Sequence, residues 1–517
     1  MQIITPEEAA LLIQNEHTVA VSGFMLNLVP LSFISALEKR FVETGGPRDL
    51  TYIFSSGQSL GARSPHGLNQ LAKEGLLKRT YASHYAVNYY IGQMAIEEKI
   101  EAFNLPMGVM AHLYRDMAAG KPGTVTHVGL KTFMDPRFAG GKMNQRARDC
   151  GFDTIELVEL GGKEQLFYHA IPIDVCVIRG TWADERGNIG YDKEGIYLDV
   201  TAMAQATRRF GGKVIVQVEG VVKSGSLNPK DVKVPGIYVD YIMPVGKENM
   251  TEYDSYLSPA ATGAIRAPGR ALPGLPLGIR KIIARRAALE LKPASVVNLG
   301  VGMPESISLV ANEEGITDYM NLTVESGPIG GVVAEGTLFG LSFNPEAILN
   351  QSQQFDFYDG GGIDLAFLGS GEVDENGNVN VSDLGNFLTG CGGFINITQN
   401  AKNLFFIGAF TAKGLEIKTG DGRLTIVKEG TQKKFLKKVR QITFSGEYAK
   451  EIKQPVLYIS ERAVFEQRQD GIHLIEIAPG IDLQKDVLAH MDFTPKMDKS
   501  PKLMDSRIFM DKPMGLK

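Results

Sequence analysis

DVCVIRGTWADERGNI begins at Asp174 and DLAFLGSGEVDENGNV begins at Asp364, 190 residues further on. Each is an apolar run that stops at glycine and passes into an Asp-Glu-x-Gly-Asn turn, Asp184–Asn188 in one and Asp374–Asn378 in the other. Farther along, VIVQVEGVVKSG ends at Gly225 and FFIGAFTAKG ends at Gly414, an offset of 189. Each half also opens on a strand-like run entering a glycine turn and a helix: VAVSGF at Val19–Phe24, and VVNLGVGMPES at Val296–Ser306. Three features in one order, two of them at nearly one spacing, indicate a duplicated unit. The N-terminal copy is enlarged by an insertion.

Working outward from these stretches, short β-branched runs bounded by glycine recur. They cover Asp174–Ile178, Lys213–Val218, Val296–Leu299, Asn321–Val324, Asp364–Leu368 and Leu404–Ile407. Segments such as Ser32–Phe41 and Lys281–Leu291 carry apolar residues at helical spacing. Strands alternating with helices predict an α/β fold with two similar open, mostly parallel sheets fused in one chain. YLSPAATGAIRAPGRALPGLPLG, Tyr256–Gly278, is rich in Pro, Gly and Ala without periodicity and is the expected linker. The expected domains are therefore 1–255, a linker at 256–278, and 279–517.

Composition narrows the function. At 517 residues the chain is too long for one compact domain. Lys and Arg number 54 against 59 Asp and Glu, a net charge of −5 that leaves no electrostatic footprint for nucleic acid or an anionic membrane. The three cysteines, Cys150, Cys176 and Cys391, form no CxxC pair, and the eight histidines form no HExxH, so no metal centre is expected. MQIITPEEAALLIQNE opens as an acidic helix start rather than a signal peptide. Val19–Leu37, the most apolar stretch, is broken by Ser, Asn and Pro. The expected setting is a reducing cytoplasm.

In open parallel sheets ligands bind beyond the carboxyl ends of strands, and three glycine-flanked segments of the second half fit that place. In NLTVESGPIGG a β-run stops at Glu325. A carboxylate there suits a nucleophile or general base; the plainer reading is a solvated charge at a strand end. In Asn298-Leu-Gly300-Val301-Gly302-Met-Pro304-Glu-Ser the small residues expose backbone N–H groups before a helix. The full GxGxxG is broken by Glu305, which counts against a dinucleotide turn. In Thr389-Gly390-Cys391-Gly392-Gly393-Phe394 three glycines leave amides bare for an oxyanion. No histidine lies near Cys391 in sequence, and it is read as a spectator.

VESGPIGG around Glu325, VNLGVGMPE from Val297 and GCGGF from Gly390 resemble the second half of class I coenzyme A-transferases. The ending, with LYISERAVFE, LIEIAPGIDLQKDVLAHMDFTP and KLMD, is similar to the single-chain short-chain acyl-CoA transferases of the propionate and acetate type. GLLKR, GGKMN, GGKVIVQVE and VPGIYVDY extend the resemblance through the first half.

The resemblance implies that Glu325 attacks an acyl-CoA to form an acyl-glutamyl anhydride and then a glutamyl-CoA thioester, which a second carboxylate reverses. It implies oxyanion donors from the Asn298–Val301 turn, with the Val301 amide, and from the Gly393 amide. It also places Gly300, Gly302 and Gly392 at the substrate. Asn378 and Asn380, alternate residues of GNVNV, could bond a carboxylate, a turn role being the alternative. No cofactor is expected, coenzyme A being a substrate. Partners are acyl-CoA and short-chain carboxylic acids, in short-chain fatty acid metabolism, with a homo-oligomer, a tetramer by resemblance.

One departure stands out. The family usually has Gln before Gly in the loop corresponding to Asn104-Leu-Pro-Met107-Gly108, and here the residue is Met107. That puts the acid specificity in doubt, toward a larger or more apolar acyl group. A small-molecule sensor without catalysis and a Rossmann-type oxidoreductase remain the alternatives. Glu325 in ESGPIGG disfavours the first and the broken GxGxxG the second.

Overall fold

Runs of Val and Ile that are apolar on both faces form strands of parallel sheets covered by helices, and the chain builds two such sheets. The computed structural model describes residues 1–59, 61, 63–250, 258–268 and 274–517. In the first sheet the order is Gln2–Ile3, Tyr241–Pro244, Lys213–Val218, Val175–Arg179, Thr18–Val21, Leu50–Phe54, Leu77–Ala82 and Glu101–Asn104. Every neighbouring pair is parallel. In the second, Met320–Thr323, Ser295–Leu299, Leu365–Gly369, Asn403–Ile407 and Val456–Ile459 run parallel. Ala463–Arg468 and Gly471–Ile477 extend it antiparallel. The six strands expected from sequence form, each within one residue of its expected ends.

The duplication is visible in strand order. Tyr241–Pro244, Lys213–Val218, Val175–Arg179, Thr18–Val21 and Leu50–Phe54 follow one another as Val456–Ile459, Asn403–Ile407, Leu365–Gly369, Ser295–Leu299 and Met320–Thr323 do. The repeated turns also share their hydrogen bonds. Asn188 Nδ2 donates to Asp184 Oδ2 at 2.9 Å and its Oδ1 accepts from Gly236 N at 3.0 Å. Asn378 Nδ2 donates to Asp374 Oδ2 at 3.0 Å and its Oδ1 accepts from Gly446 N at 3.0 Å. Between Leu50–Phe54 and Val175–Arg179 the first copy carries two further strands of its sheet. It also carries a separate antiparallel sheet of Gly123–Thr126, Lys163–His169 and Ile155–Leu160.

The chain packs as two compact units: Met1–Ala267 with Val324–Asp356 and Gly385–Asn396, and Pro268–Thr323 with Phe357–Leu384 and Ile397–Lys517. Two segments that follow the expected linker in sequence, those holding Glu325 and Cys391, thus pack with the N-terminal copy. Of the linker, residues 256, 257 and 269–273 lie outside the described residues; 258–268 is turn and irregular backbone. Within the first unit the Ala260 carbonyl accepts from Asn344 N at 2.8 Å. Sheet residues such as Val177, Val216 and Ile242 are fully buried, each worth roughly 1.5–3 kcal/mol relative to exposure.

Candidate functional site

Glu325 sits in a turn that only glycine allows. Val324 N donates to Pro328 O and Gly327 N to Val324 O, both at 3.0 Å. Gly327 has φ +123°, and a Cβ there would lie 2.1 Å from the Leu349 carbonyl oxygen. Ser326 Oγ donates to Gly340 O at 2.5 Å. The turn is therefore fixed on both sides of Glu325, which limits how far the carboxylate can wander. Glu325 is half-buried, and burial pushes its carboxyl up to about 7, because removing water disfavours the charged form. Such a carboxylate is still substantially ionised at neutral pH and is more basic than a solvated one, which favours nucleophilic attack.

In the same unit, the Gly390–Gly393 loop is held by the strand ends of the first sheet. Tyr85 N donates to Thr389 O at 2.7 Å, and Gly392 N donates to Ser83 O at 2.8 Å. Cys391 N donates to Asn104 Oδ1 at 2.9 Å. Met107 N, at the start of the helix Met107–Ala118, donates to Gly392 O at 2.9 Å. Gly390 has φ +76°, and a Cβ there would lie 2.5 Å from Ser83 O. The sequence suggested a run of bare amides. The structure commits those of Cys391 and Gly392 to the protein. The Gly393 amide is buried and donates to no partner among the described residues. Cys391 is buried and burial pushes its thiol up, keeping it protonated. Met107 is buried.

The second unit holds the other candidates. Asn298 lies opposite Thr323 in the parallel ladder. Its Nδ2 donates to Thr323 O at 3.3 Å, and its buried Oδ1 has no hydrogen-bond partner among the described residues. Gly300 N donates to Phe367 O at 2.9 Å, and Gly302 O accepts from Arg280 Nη2 at 2.9 Å. The Val301 amide between them donates to nothing among the described residues, and the residue is exposed. Asn378 and Asn380 take the turn role. Asn378 is committed to Asp374 and Gly446, as described above. Asn380 Nδ2 donates to Glu372 Oε2 at 2.8 Å and to Asp383 O at 2.7 Å, and its Oδ1 accepts from Ser382 N. Both Nδ2 hydrogens of Asn380 are thus committed, and one of the two on Asn378.

A pocket of about 500 Å³ opens in the second unit at the carboxyl ends of Leu365–Gly369 and Asn403–Ile407, bordered by Ser370, Thr411, Lys413 and Lys434. Burial pulls the Lys434 ammonium down to about 8, against the opposing charge of Glu461. A Cβ on Gly408 would lie 2.7 Å from Lys434 Nζ, so glycine at that strand end leaves room for the ammonium. Lys434 was not singled out from sequence, since no local pattern distinguishes it from the neighbouring Lys433, Lys437 and Lys438. Asn104 was missed likewise, its partner lying far along the chain. Among the described residues no group of three or more His, Cys, Asp or Glu is placed to hold a metal ion. No helix among them is long and apolar enough to cross a membrane.

Comparison with known proteins shows the family to which the chain belongs. A family model described as coenzyme A transferase matches residues 3–244. A caffeate CoA-transferase of Acetobacterium woodii is 45% identical over 523 aligned residues, covering 100% of this chain and 98% of that protein. The acetate CoA-transferase YdiF of Escherichia coli K12 is 42% identical, covering 99% and 96%. Crystal structures of the acyl-CoA transferase YdiF from E. coli O157:H7, as apoenzyme and as a thioester complex with CoA, superpose with TM-scores of 0.94 and 0.92. Each is 41% identical and covers 100% of this chain and 97% of its own.

Proposed function

Because the chain belongs to the coenzyme A-transferase family and is an acyl-CoA transferase, we propose that it moves coenzyme A from a short-chain acyl-CoA to a free carboxylic acid through covalent intermediates on Glu325. The Glu325 carboxylate attacks the thioester carbonyl; the C–S bond breaks, giving an acyl-glutamyl anhydride and CoA thiolate. The thiolate then attacks the Glu325 carbonyl carbon, releasing the first carboxylate and leaving a glutamyl-CoA thioester. An incoming carboxylate runs the two steps backward and leaves as the new acyl-CoA. Anhydride and thioester are both activated acyl groups, so the bond energy is retained without ATP, metal or nicotinamide.

The observation that carries this reading is Glu325, a half-buried carboxyl in a glycine-fixed turn, raised to about 7. Each tetrahedral intermediate places charge on a carbonyl oxygen, and donors without competing partners stabilise it best. The Gly393 and Val301 amides, the two donors implied by family resemblance, are each uncommitted among the described residues. The pocket bordered by Lys413 and Lys434 suits the anionic nucleotide handle, whose binding far from the reacting carbonyl can lower the barrier. The two relatives above are named for acids as unlike as caffeate and acetate, so the family name alone does not fix the acid. Met107, apolar and buried beside Gly392, favours a more apolar acyl chain than a Gln would.

Mass spectrometry after incubation with acyl-CoA alone tests the reading. The wild type should gain a CoA adduct at Glu325, and Glu325→Ala should neither gain it nor turn over while remaining folded. A variant that kept more than a few per cent of turnover would remove Glu325 as nucleophile.

A further inference from the structure

Arg280 stands in the first turn of the helix Ile279–Ala288, and its exposed side chain reaches forward to the glycine turn at Gly300–Gly302. Its Nη2 donates to Gly302 O at 2.9 Å, and its Nε donates to Ser306 Oγ at 3.1 Å. Ser306 is fully buried and opens the helix Ser306–Glu314. Farther along, the two helices are tied together, because Lys281 Nζ and Arg285 Nη2 both donate to Glu313 Oε1, at 2.9 and 3.2 Å. The guanidinium is thus presented from a fixed frame, with Ser306 helping to set its plane.

The turn that Arg280 holds carries the Val301 amide. Upstream, Gly300 N donates to Phe367 O at 2.9 Å, and a Cβ on Gly300 would lie 2.9 Å from Leu368 Cδ2, so this end rests on the neighbouring strand. Downstream, Gly302 has φ +88°, where glycine is unstrained and its peptide planes turn easily. The bond from Arg280 to the Gly302 carbonyl fixes that loose end. Val301 lies between the two anchors with its residue exposed, so packing of its own side chain does little to aim its N–H. A cation in a first turn also faces the positive end of its own helix dipole, the unfavourable end. Helix electrostatics therefore give no reason for arginine at this position, and the carbonyl it bonds gives one.

We infer that Arg280 is a positioning residue for CoA transfer, fixing the direction of the Val301 amide by clamping the Gly302 carbonyl. Preorganised donors stabilise an oxyanion well because they need no reorientation as charge develops. A donor on an unclamped glycine turn spends part of its time misdirected. The guanidinium acts through the turn and not on the reacting atoms. This inference rests on the glutamyl route proposed above, with Val301 as one of its donors.

The experiment measures kcat and the KM for acetyl-CoA, with butyrate as acceptor, in wild type, Arg280→Ala, Arg280→Lys and Ser306→Ala. The rate of CoA adduct formation is read separately by mass. Loss of a whole oxyanion donor costs about 10²–10³ in kcat, and a misdirected one costs less. Arg280→Ala should therefore lower kcat and the adduct rate together by about tenfold to a hundredfold, with KM moving less than about threefold. Arg280→Lys, which can reach the carbonyl or Ser306 but not both, should fall between. Ethylguanidinium, the missing end of the side chain, should restore part of the kcat of Arg280→Ala, and ethylammonium should not. Ser306→Ala should lower kcat less, and should add nothing to Arg280→Ala, since it acts through the same guanidinium. A raised KM at unchanged kcat would make Arg280 a substrate-binding group and overturn the inference. So would wild-type kcat in Arg280→Ala, or an equal response of that variant to the two cations. A CoA adduct on the wild type with kcat indifferent to Arg280 removes only this clamp. Absence of the adduct from the wild type removes the glutamyl route, and this inference with it.

Discussion

Asn104 accepts the Cys391 amide on its side-chain Oδ1 at 2.9 Å, although 287 residues separate the two in sequence. The same side chain donates through Nδ2 to Ala82 O at 2.7 Å and Ser83 O at 2.9 Å. It is fully buried. An amide is the side chain that offers an acceptor and two donors at one planar end, so a single residue joins two strand ends to the glycine loop.

Replacing Asn104 with Leu should therefore cost stability and activity together. The buried Cys391 N–H loses its partner, while Ala82 O keeps Leu105 N and Ser83 O keeps Gly392 N, for roughly 1–3 kcal/mol in all, read as a lower urea midpoint. The Gly393 amide moves with its loop, so kcat should fall more than KM rises. Wild-type kcat in a destabilised variant would show that the loop does not depend on this clamp.

The Glu325 carboxyl carries a stability cost that depends on pH. It ionises near 7 in the folded chain against 4.5 for the ordinary value. The folded state therefore holds its proton more tightly, and stability is lost as pH rises from about 4.5 to 7, then stays lost above. Glu325→Gln removes that cost. At pH 8 the variant should be more stable than the wild type by about 1–3 kcal/mol, with the difference shrinking toward pH 5. Chemical denaturation at the two pH values decides it, and an equal difference at both would mean an unperturbed carboxyl. In the wild type, CoA adduct formation should speed up as pH rises through about 7.

Cys391 should be inert despite its place in the glycine loop. It is buried with its thiol raised, whereas Cys150 is partly exposed and Cys176 is buried. A disulfide reagent should label about one thiol in the native protein, at Cys150. Cys391→Ala should keep turnover within about twofold, the side chain touching no reacting atom. Loss of activity on labelling, abolished by Cys391→Ala, would return the thiol to the mechanism.

Met107→Gln should shift the choice of acid. A Gln amide offers donors to a carboxylate or hydroxyl, where a thioether offers adaptable apolar contact. The ratio of kcat/KM for acetate to that for butyrate should rise by an amount worth ~1–3 kcal/mol, with the glutamyl-CoA adduct still formed. An unchanged ratio would place Met107 in the loop core alone.

The chain's own residues declared the two sheets because strand burial on both faces requires Val and Ile runs, and a turn after each requires glycine. Both signals are local, and six strands followed from them to within one residue. Glu325 stands where such a run ends at SGPIGG, but its position alone reads equally as a solvated charge, and its catalytic role rests on the family resemblance. Hydrogen-bond partnership is not local. Asn378 and Asn380 looked available in GNVNV, and only the fold commits them to Asp374, Gly446, Glu372 and Asp383. The glycine loop looked like a row of free amides until Asn104, at one strand end, and Ser83, just past another, both about 300 residues earlier, took two of them and left Gly393. The packing of Val324–Asp356 and Gly385–Asn396 with the first copy was likewise absent from the sequence halves. An amide is satisfied by whatever acceptor packing brings within about 3 Å, so sequence determined which groups exist, and tertiary structure decided which stay free to react.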